Sequence, residues 1–240
     1  MDQRVLLVDG RKGGYHYEEA LKTLRTNLQF CGSQFRAILL TSCFPDEGKS
    51  DIAFHLAVEL GKAGKRTLLL DADIRKSVYL ARYMVSSEVN GLSQLLSGQI
   101  KSLEQIIYHT NYANMDMIFS GPTAPNPSEL LGQKLFRDMM SVLKKQYDYI
   151  LVDTPPLGNI IDAAIAGQAC DGALLIVESG KASYKMEQKI ISQLEKSGCH
   201  VLGAVLNKVD IQQNRYYSSY YKKYEKYDTY EGDAEAGAQE

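Results

Sequence analysis

Four stretches of this 240-residue chain carry residue types at spacings that can do chemistry. The first is Cys43-Phe44-Pro45-Asp46-Glu47-Gly48-Lys49-Ser50, which follows the apolar run Ala37 to Ser42 and precedes a helical pattern over 49–63. Strand, loop ending Gly-Lys-Ser, then helix is the arrangement in which backbone N–H groups cradle a phosphate. Gly48 lets the main chain approach, the Lys49 ammonium reaches the β and γ oxygens, and the Ser50 hydroxyl meets Mg²⁺. The first glycine of the usual GxxxxGK[ST] pattern is replaced by Cys43, and Asp46 brings a carboxylate near the anion. The second stretch, Arg66 to Asp73, ends an apolar run with Asp71 and Asp73. Side chains alternate along a strand, so these two point the same way, toward the crevice at the strand end, where they can serve a metal and a reacting hydroxyl. The third, Tyr147 to Asp153, ends with a single aspartate in the position that holds Mg²⁺ in phosphate-loop proteins. One such aspartate alone reads equally as a turn or helix cap; three converging on one Gly-Lys-Ser loop read as a site. The fourth is a cluster of seven of the sixteen tyrosines, all within 216–230, which is either a packing surface or a set of substrates.

The elements that must position these residues follow from hydrophobic periodicity. Short apolar runs at 37–42, 66–73, 114–121, 147–153, 173–179 and 200–207 read as buried strands, and helical patterns at 49–63, 92–97, 102–108, 128–146, 159–168 and 184–197 lie between them. Strands alternating with helices predict an α/β fold: a doubly wound, mostly parallel sheet of the P-loop NTPase type with helices on both faces and ligands at the carboxyl ends of the strands. Residues 15–30 predict a further helix with Ala20, Leu21, Leu24 and Leu28 on one face. The expected organisation is an N-terminal segment over 1–14, one domain over 15–211, and a flexible tail over 212–240, whose only aliphatic residues are Ala234, Ala236 and Ala238. Tyr216, Tyr220, Tyr224 and Tyr227 fall at helical spacing, yet a stripe without aliphatic neighbours would bury little.

Composition excludes several classes. The formal charge is -2, with 27 basic and 29 acidic residues, which offers no global field for nucleic acid. The four cysteines form no CxxC pair and have no histidine at metal-ligand spacing, as suits a reducing cytosol. No window approaches the ~20 apolar residues of a membrane-spanning helix, so membrane association is expected through a partner.

Together, "TSCFPDEGKS", "LLLDADIR" and "ILVDTPP" resemble the Walker A, A′ and B motifs of the bacterial tyrosine kinases, the capsule and exopolysaccharide autokinases of the CpsD/CapB type. "EALKTLRTNLQF", "GLSQLLSG", "GPTAPNPSELL", "VLNKVD" and the terminal tyrosines extend the likeness over nearly the whole chain. The resemblance implies ATP and Mg²⁺ as cofactors. It implies nucleotide contacts from Phe44, Pro45, Asp46, Glu47, Gly48, Lys49, Ser50, Asp51 and Asn207, and metal contacts from Ser50, Asp71 and Asp153. Lys49, Asp71 and Asp73 would be catalytic, with Asp73 the base for the incoming tyrosine, and Arg75 would anchor the A′ loop or a phosphate. Tyr216, Tyr217, Tyr220, Tyr221, Tyr224, Tyr227 and Tyr230 would be the phosphate acceptors, each presented to a neighbouring subunit. Every phosphate adds roughly -1.5 to -2 charges to a tail that already carries -3 from Tyr216 onward, so modification should release the tail and loosen a ring.

The same likeness implies ring assembly through Glu19, Lys22 and Arg25, a separate membrane activator or polysaccharide co-polymerase, a cognate phosphatase, no nucleic acid, and a cytoplasmic chain recruited to the inner face of the cell membrane. Three positions depart from the family pattern. Lys22 stands where the oligomerisation motif has arginine and loses the bidentate fork. Asp46 replaces a common glycine and Asp51 a usual threonine, so both would repel the anion unless their carboxylates point away. Asn207-Lys208-Val209-Asp210 also fits the guanine-reading motif, but in the resembled family this asparagine sits by adenine. The main rival class is a MinD/ParA-like ATPase, whose deviant loop is partly matched by "RKGG" at 11–14. No Lys-Ser or Lys-Thr follows it, and Phe44 holds the deviant lysine's position. A nucleotide-sensing adaptor without turnover is the non-enzymatic alternative.

Overall fold

Aliphatic runs too short for helices and buried over their full length build the centre of the sheet. The computed structural model describes residues 3–10, 14–85 and 88–210. In chain order it contains β1 (Arg4–Val5), α1 (Tyr15–Phe30), β2 (Ala37–Ser42), α2 (Lys49–Lys62), β3 (Thr67–Asp71), α3 (Tyr79–Arg82), α4 (Leu92–Leu96), β4 (Tyr108–Thr110) and β5 (Met115–Ile118). The second half contains α5 (Pro127–Gly132), α6 (Lys134–Gln146), β6 (Tyr149–Asp153), α7 (Asp162–Gly167), β7 (Gly172–Glu178), α8 (Tyr184–Lys196) and β8 (Val201–Asn207). The eight strands lie in the order β1-β4-β5-β3-β6-β2-β7-β8. Every neighbouring pair is parallel except β4 with β5.

Alternation along the central strands divides the interior into two layers. Ile38 and Leu40 of β2, Leu69 of β3 and Leu151 of β6 pack with Phe54, Leu56 and Leu60 of α2. Leu39, Leu68, Leu70, Ile150 and Val152 face the other way, onto Phe136, Met140 and Leu143 of α6. Phe136, Met139, Met140 and Leu143 recur at i, i+3, i+4 and i+7, the one apolar stripe of a helix otherwise rich in lysine and arginine. The helices that follow the adjacent strands β2 and β6 leave on opposite faces, α2 into one layer and α7 into the other. Such a divergence opens a crevice at the carboxyl ends of the strands.

Three expected helices come out differently. Residues 102–108 give only a 3-10 turn at Leu103–Gln105, after which Tyr108 enters β4 and pairs antiparallel with β5. The aromatic Tyr108 and β-branched Thr110 favour that outcome once a partner strand exists. The single helix expected over 128–146 is two, because Gln133 is extended at φ −66 and ψ 153. The pattern over 159–168 shortens to α7. Arg4 and Val5, from the segment placed ahead of the domain, pair with β4 at one sheet edge, and Val5 and Leu7 are buried. The expected tail lies outside the described residues.

Gly61 gives a test in which two effects oppose. Alanine in a helix interior normally stabilises by roughly 0.5–1 kcal/mol over glycine, but a Cβ at Gly61 would overlap the Ala113 carbonyl oxygen. Gly61→Ala is expected to lower the thermal denaturation midpoint. A rise would show that the 111–114 turn yields at no cost.

Candidate functional site

The Gly-Lys-Ser loop is built by backbone conformations few residues adopt and by side chains that tie it to the β7 and β8 ends. Gly48 caps α2 at φ 92, and a Cβ there would strike the Asn207 amide, so both conformation and space require glycine. Asp46 is exposed and stands at φ 63, the left-handed region that glycine adopts freely and aspartate tolerates better than most residues. The fully buried Glu47 carboxylate accepts from the Phe44 N–H at 2.8 Å and the Glu178 N–H at 3.3 Å. Asn207 Nδ2 donates to the Glu47 carbonyl at 2.9 Å, Lys208 Nζ to the Asp46 carbonyl at 2.5 Å and Lys181 Nζ to the Pro45 carbonyl at 3.0 Å. The loop is therefore held from within by Glu47 and from the β7 and β8 ends by Lys181, Asn207 and Lys208.

Lys49 and the carboxylates meet at the foot of this loop. Lys49 Nζ lies 3.2 Å from Ser50 Oγ and 3.7 Å from Asp153 Oδ1. Asp71 and Asp153 are register partners at the carboxyl ends of β3 and β6. Asp71 is fully buried and accepts from Ser77 Oγ (2.5 Å), the Asp73 N–H (3.2 Å) and the Ser120 N–H (3.3 Å). Burial, and then the nearby Asp153 charge, push its carboxyl up to about 7. Asp73 accepts from the Lys76 N–H at 2.9 Å and the Arg75 N–H at 3.3 Å, and burial raises its carboxyl above the usual range.

Asp153 Oδ2 accepts from the Tyr79 hydroxyl at 3.0 Å, whereas its buried Oδ1 has no hydrogen-bond partner. A buried carboxylate oxygen without a donor, beside a second buried carboxylate, fits a cation. Among the described residues no three His, Cys, Asp or Glu side chains form a metal cage. The neighbouring Asp71 and Asp153 carboxylates suit Mg²⁺, which takes one or two carboxylates and completes its shell with phosphate and water.

The remaining expected residues divide by location. Asp51 turns toward α1, where its carboxylate accepts from the Tyr17 hydroxyl at 2.7 Å and lies 3.8 Å from His55 Nδ1. Arg75 reaches sideways: its Nε and Nη2 lie 2.6 and 3.0 Å from the fully buried Asp162 carboxylate, which also accepts from Ser128. It thereby clips the segment after β3 to α5 and α7. Glu19 and Lys22 pair with each other on the exposed side of α1, and Arg25 reaches Glu59 of α2 at 3.6 Å. The seven tyrosines expected as acceptors and most of "RKGG" lie outside the described residues. Sequence reasoning missed Tyr79 and Asp162. No periodicity marks Tyr79, and Asp162 reads as an ordinary first-turn acid of α7.

An AAA domain family model matches residues 46–216. Tyrosine-protein kinase CpsD of Streptococcus pneumoniae is similar at 41% identity, over 83% of this chain and 87% of that protein. The kinase domain of the Escherichia coli tyrosine kinase ETK superposes with a TM-score of 0.76 at 32% identity, covering 80% of this chain and 76% of that one. The septum site-determining protein MinD of Pyrococcus horikoshii, complexed with Mg-ADP, follows at 0.64 and 26%, covering 73% and 71%.

Asp71 makes the apo fold sensitive to pH. Its folded-state value of about 7 exceeds the 3.8 of a free aspartate carboxyl, so between them the native state binds more protons than the unfolded chain and stability falls as pH rises. At full displacement the loss is about 4 kcal/mol. In protein free of nucleotide and divalent cations, Asp71→Asn should gain denaturation midpoint relative to wild type as pH goes from 5 to 8. Parallel pH profiles for the two proteins would remove Asp71 as the source.

Proposed function

This chain belongs to the bacterial tyrosine-protein kinases built on an AAA domain, and from that premise we propose that it transfers the γ-phosphate of ATP to tyrosines of its own C-terminal cluster. The observation that carries this reading is the convergence of Lys49, Asp71, Asp73 and Asp153 at the foot of a phosphate loop braced by Glu47 and Asn207. Ser50, Asp153 and Asp71 would hold Mg²⁺, which when bound would neutralise charge on the phosphates. Lys49, its ammonium already beside Asp153, binds the β and γ oxygens. The loop N–H groups from Asp46 to Asp51 receive the remaining phosphate charge at the N-terminus of α2.

Asp73 orients the acceptor hydroxyl and takes its proton. Two backbone donors fix its carboxylate, and its raised proton affinity suits a base that must accept a proton as the tyrosine oxygen attacks. Asp51 is turned from the anion, because the Tyr17 hydroxyl holds its carboxylate on the α1 side. The MinD likeness, a protein complexed with Mg-ADP, supports a magnesium nucleotide here.

The acceptors in this reading are Tyr216, Tyr217, Tyr220, Tyr221, Tyr224, Tyr227 and Tyr230, presented in trans to a neighbouring subunit of a ring joined through Glu19, Lys22 and Arg25 on α1. The assembly regulates capsule or exopolysaccharide synthesis at the membrane. In this reading a membrane activator recruits the chain and a phosphatase resets it; no helix among the described residues is long and apolar enough to cross a membrane.

Intact-mass spectrometry after incubation with Mg·ATP tests this reading. Wild type should gain a ladder of phosphates mapping to 216–230, and Lys49→Met and Asp73→Asn should each lose at least ~100-fold in rate. A wild-type protein that hydrolyses ATP but never gains phosphate, even with an activator's cytoplasmic segment supplied, would refute it in favour of an ATPase switch.

A further inference from the structure

The mechanism above leaves unused a buried ionisable group that touches the site itself. Tyr79, on the short helix α3, is fully buried, and its hydroxyl lies 3.0 Å from Asp153 Oδ2 and 3.1 Å from the Ser50 carbonyl oxygen. Burial, reinforced by the Asp153 charge, holds the phenol well above its ordinary proton affinity, so it remains a donor across the physiological range. The ring is fixed as firmly as the hydroxyl. It stacks on Tyr83 at 5.9 Å, and Tyr83 stacks on Phe54 at 3.8 Å. Phe54 belongs to α2, the helix whose first turn carries Lys49 and Ser50. One side chain thus spans the segment after β3, the phosphate-loop helix and the end of β6.

A carboxylate has two oxygens, and which of them meets a cation depends on what occupies the other. We infer that Tyr79 is a positioning residue for the divalent cation: by engaging Asp153 Oδ2 it fixes the carboxylate so that Oδ1, buried and without a hydrogen bond, is the oxygen presented to Mg²⁺. Without the phenol the Asp153 carboxylate is free to turn and pair more closely with Lys49, which already stands 3.7 Å away. The cation would then lose a preset ligand and Lys49 would lose its freedom to reach phosphate. Partners that orient a metal ligand from behind typically account for 10–100-fold in metal affinity. This inference rests on the magnesium-nucleotide reading of the site.

The test is Mg²⁺ titration of fluorescent N-methylanthraniloyl-ADP binding to the full chain, which needs no turnover. Tyr79→Phe keeps the stacked ring and removes only the hydroxyl. It should raise the Mg²⁺ concentration for half-maximal effect about tenfold or more, while affinity for the metal-free probe stays within about twofold. Genetically encoded 4-aminophenylalanine at position 79 restores a donor and should restore the wild-type Mg²⁺ response. Tyr147→Phe is the control for losing any buried phenol: the Tyr147 hydroxyl donates to Asp116 Oδ2 at 2.7 Å near the start of β5, and its loss should leave the Mg²⁺ response unchanged. A wild-type Mg²⁺ response that Tyr79→Phe does not shift overturns the positioning role alone. A wild-type protein that binds the probe without regard to Mg²⁺ overturns both this role and the reading it rests on. Should Tyr79→Phe not fold, the slowly exchanging Tyr79 hydroxyl proton can be followed by NMR in the unaltered ADP complex. It should move on addition of Mg²⁺, and a resonance indifferent to the ion refutes the inference.

Discussion

The structure depends on keeping several carboxylates out of water beside one lysine. Asp71, Asp73 and Asp153 are all buried, and Lys49 is the cation closest to Asp153. Removing an ion from water costs several kcal/mol even after relaxation, so these groups persist only because the surroundings supply donors or leave room for a cation. Asp71 is saturated with donors from Ser77, Ser120 and the backbone and still holds its proton to about 7. Asp153 is left half-satisfied. That inequality between two neighbouring carboxylates on adjacent strands distinguishes a binding site from a satisfied core.

Preorganisation of the phosphate loop follows the same logic. Loop N–H groups can point at an anion only if carbonyls and side chains elsewhere hold the loop's shape. Glu47 does this from within, receiving the N–H of Phe44 and, across the crevice, that of Glu178. Asn207 and Lys208 do it from the end of β8, each bonding a loop carbonyl. An asparagine expected to face a base therefore also fixes the loop, and the same amide leaves no space for a side chain at position 48. Electrostatic stabilisation of phosphoryl transfer gains from donors that need not reorganise during the reaction.

The segment after β3 is secured at both ends. Arg75 clips it to Asp162 and Ser128 on the α7 and α5 side, and Tyr79 anchors it to Ser50 and Asp153 on the α2 side. Asp73 lies two residues ahead of Arg75, between the end of β3 and the first of these anchors. The sixteen-residue α1 lies apart from this chemistry but against α2, joined by the Arg25–Glu59 and Tyr17–Asp51 contacts. A surface helix thus touches the helix that begins with Lys49.

Much of this was legible in the sequence because it is local. The strand-loop-helix setting of Lys49, the alternation that aims Asp71 toward the crevice, the end-of-strand Asp153 and the doubly wound α/β order all follow from periodicities of two and 3.6 residues. Short segments with balanced preferences were not legible. Residues 102–108 become a turn and an antiparallel strand only because β5 offers a partner, and Gln133 breaks a helix that the apolar spacing alone would continue. Nor could spacing reveal that Tyr79 braces Asp153, that Arg75 spends its guanidinium on Asp162, or that Asp51 turns to Tyr17. Those pairs join residues 74, 87 and 34 positions apart. The sequence determined which groups could bind phosphate and metal; the tertiary structure decided which of their oxygens remain free, because that depends on donors brought from distant parts of the chain.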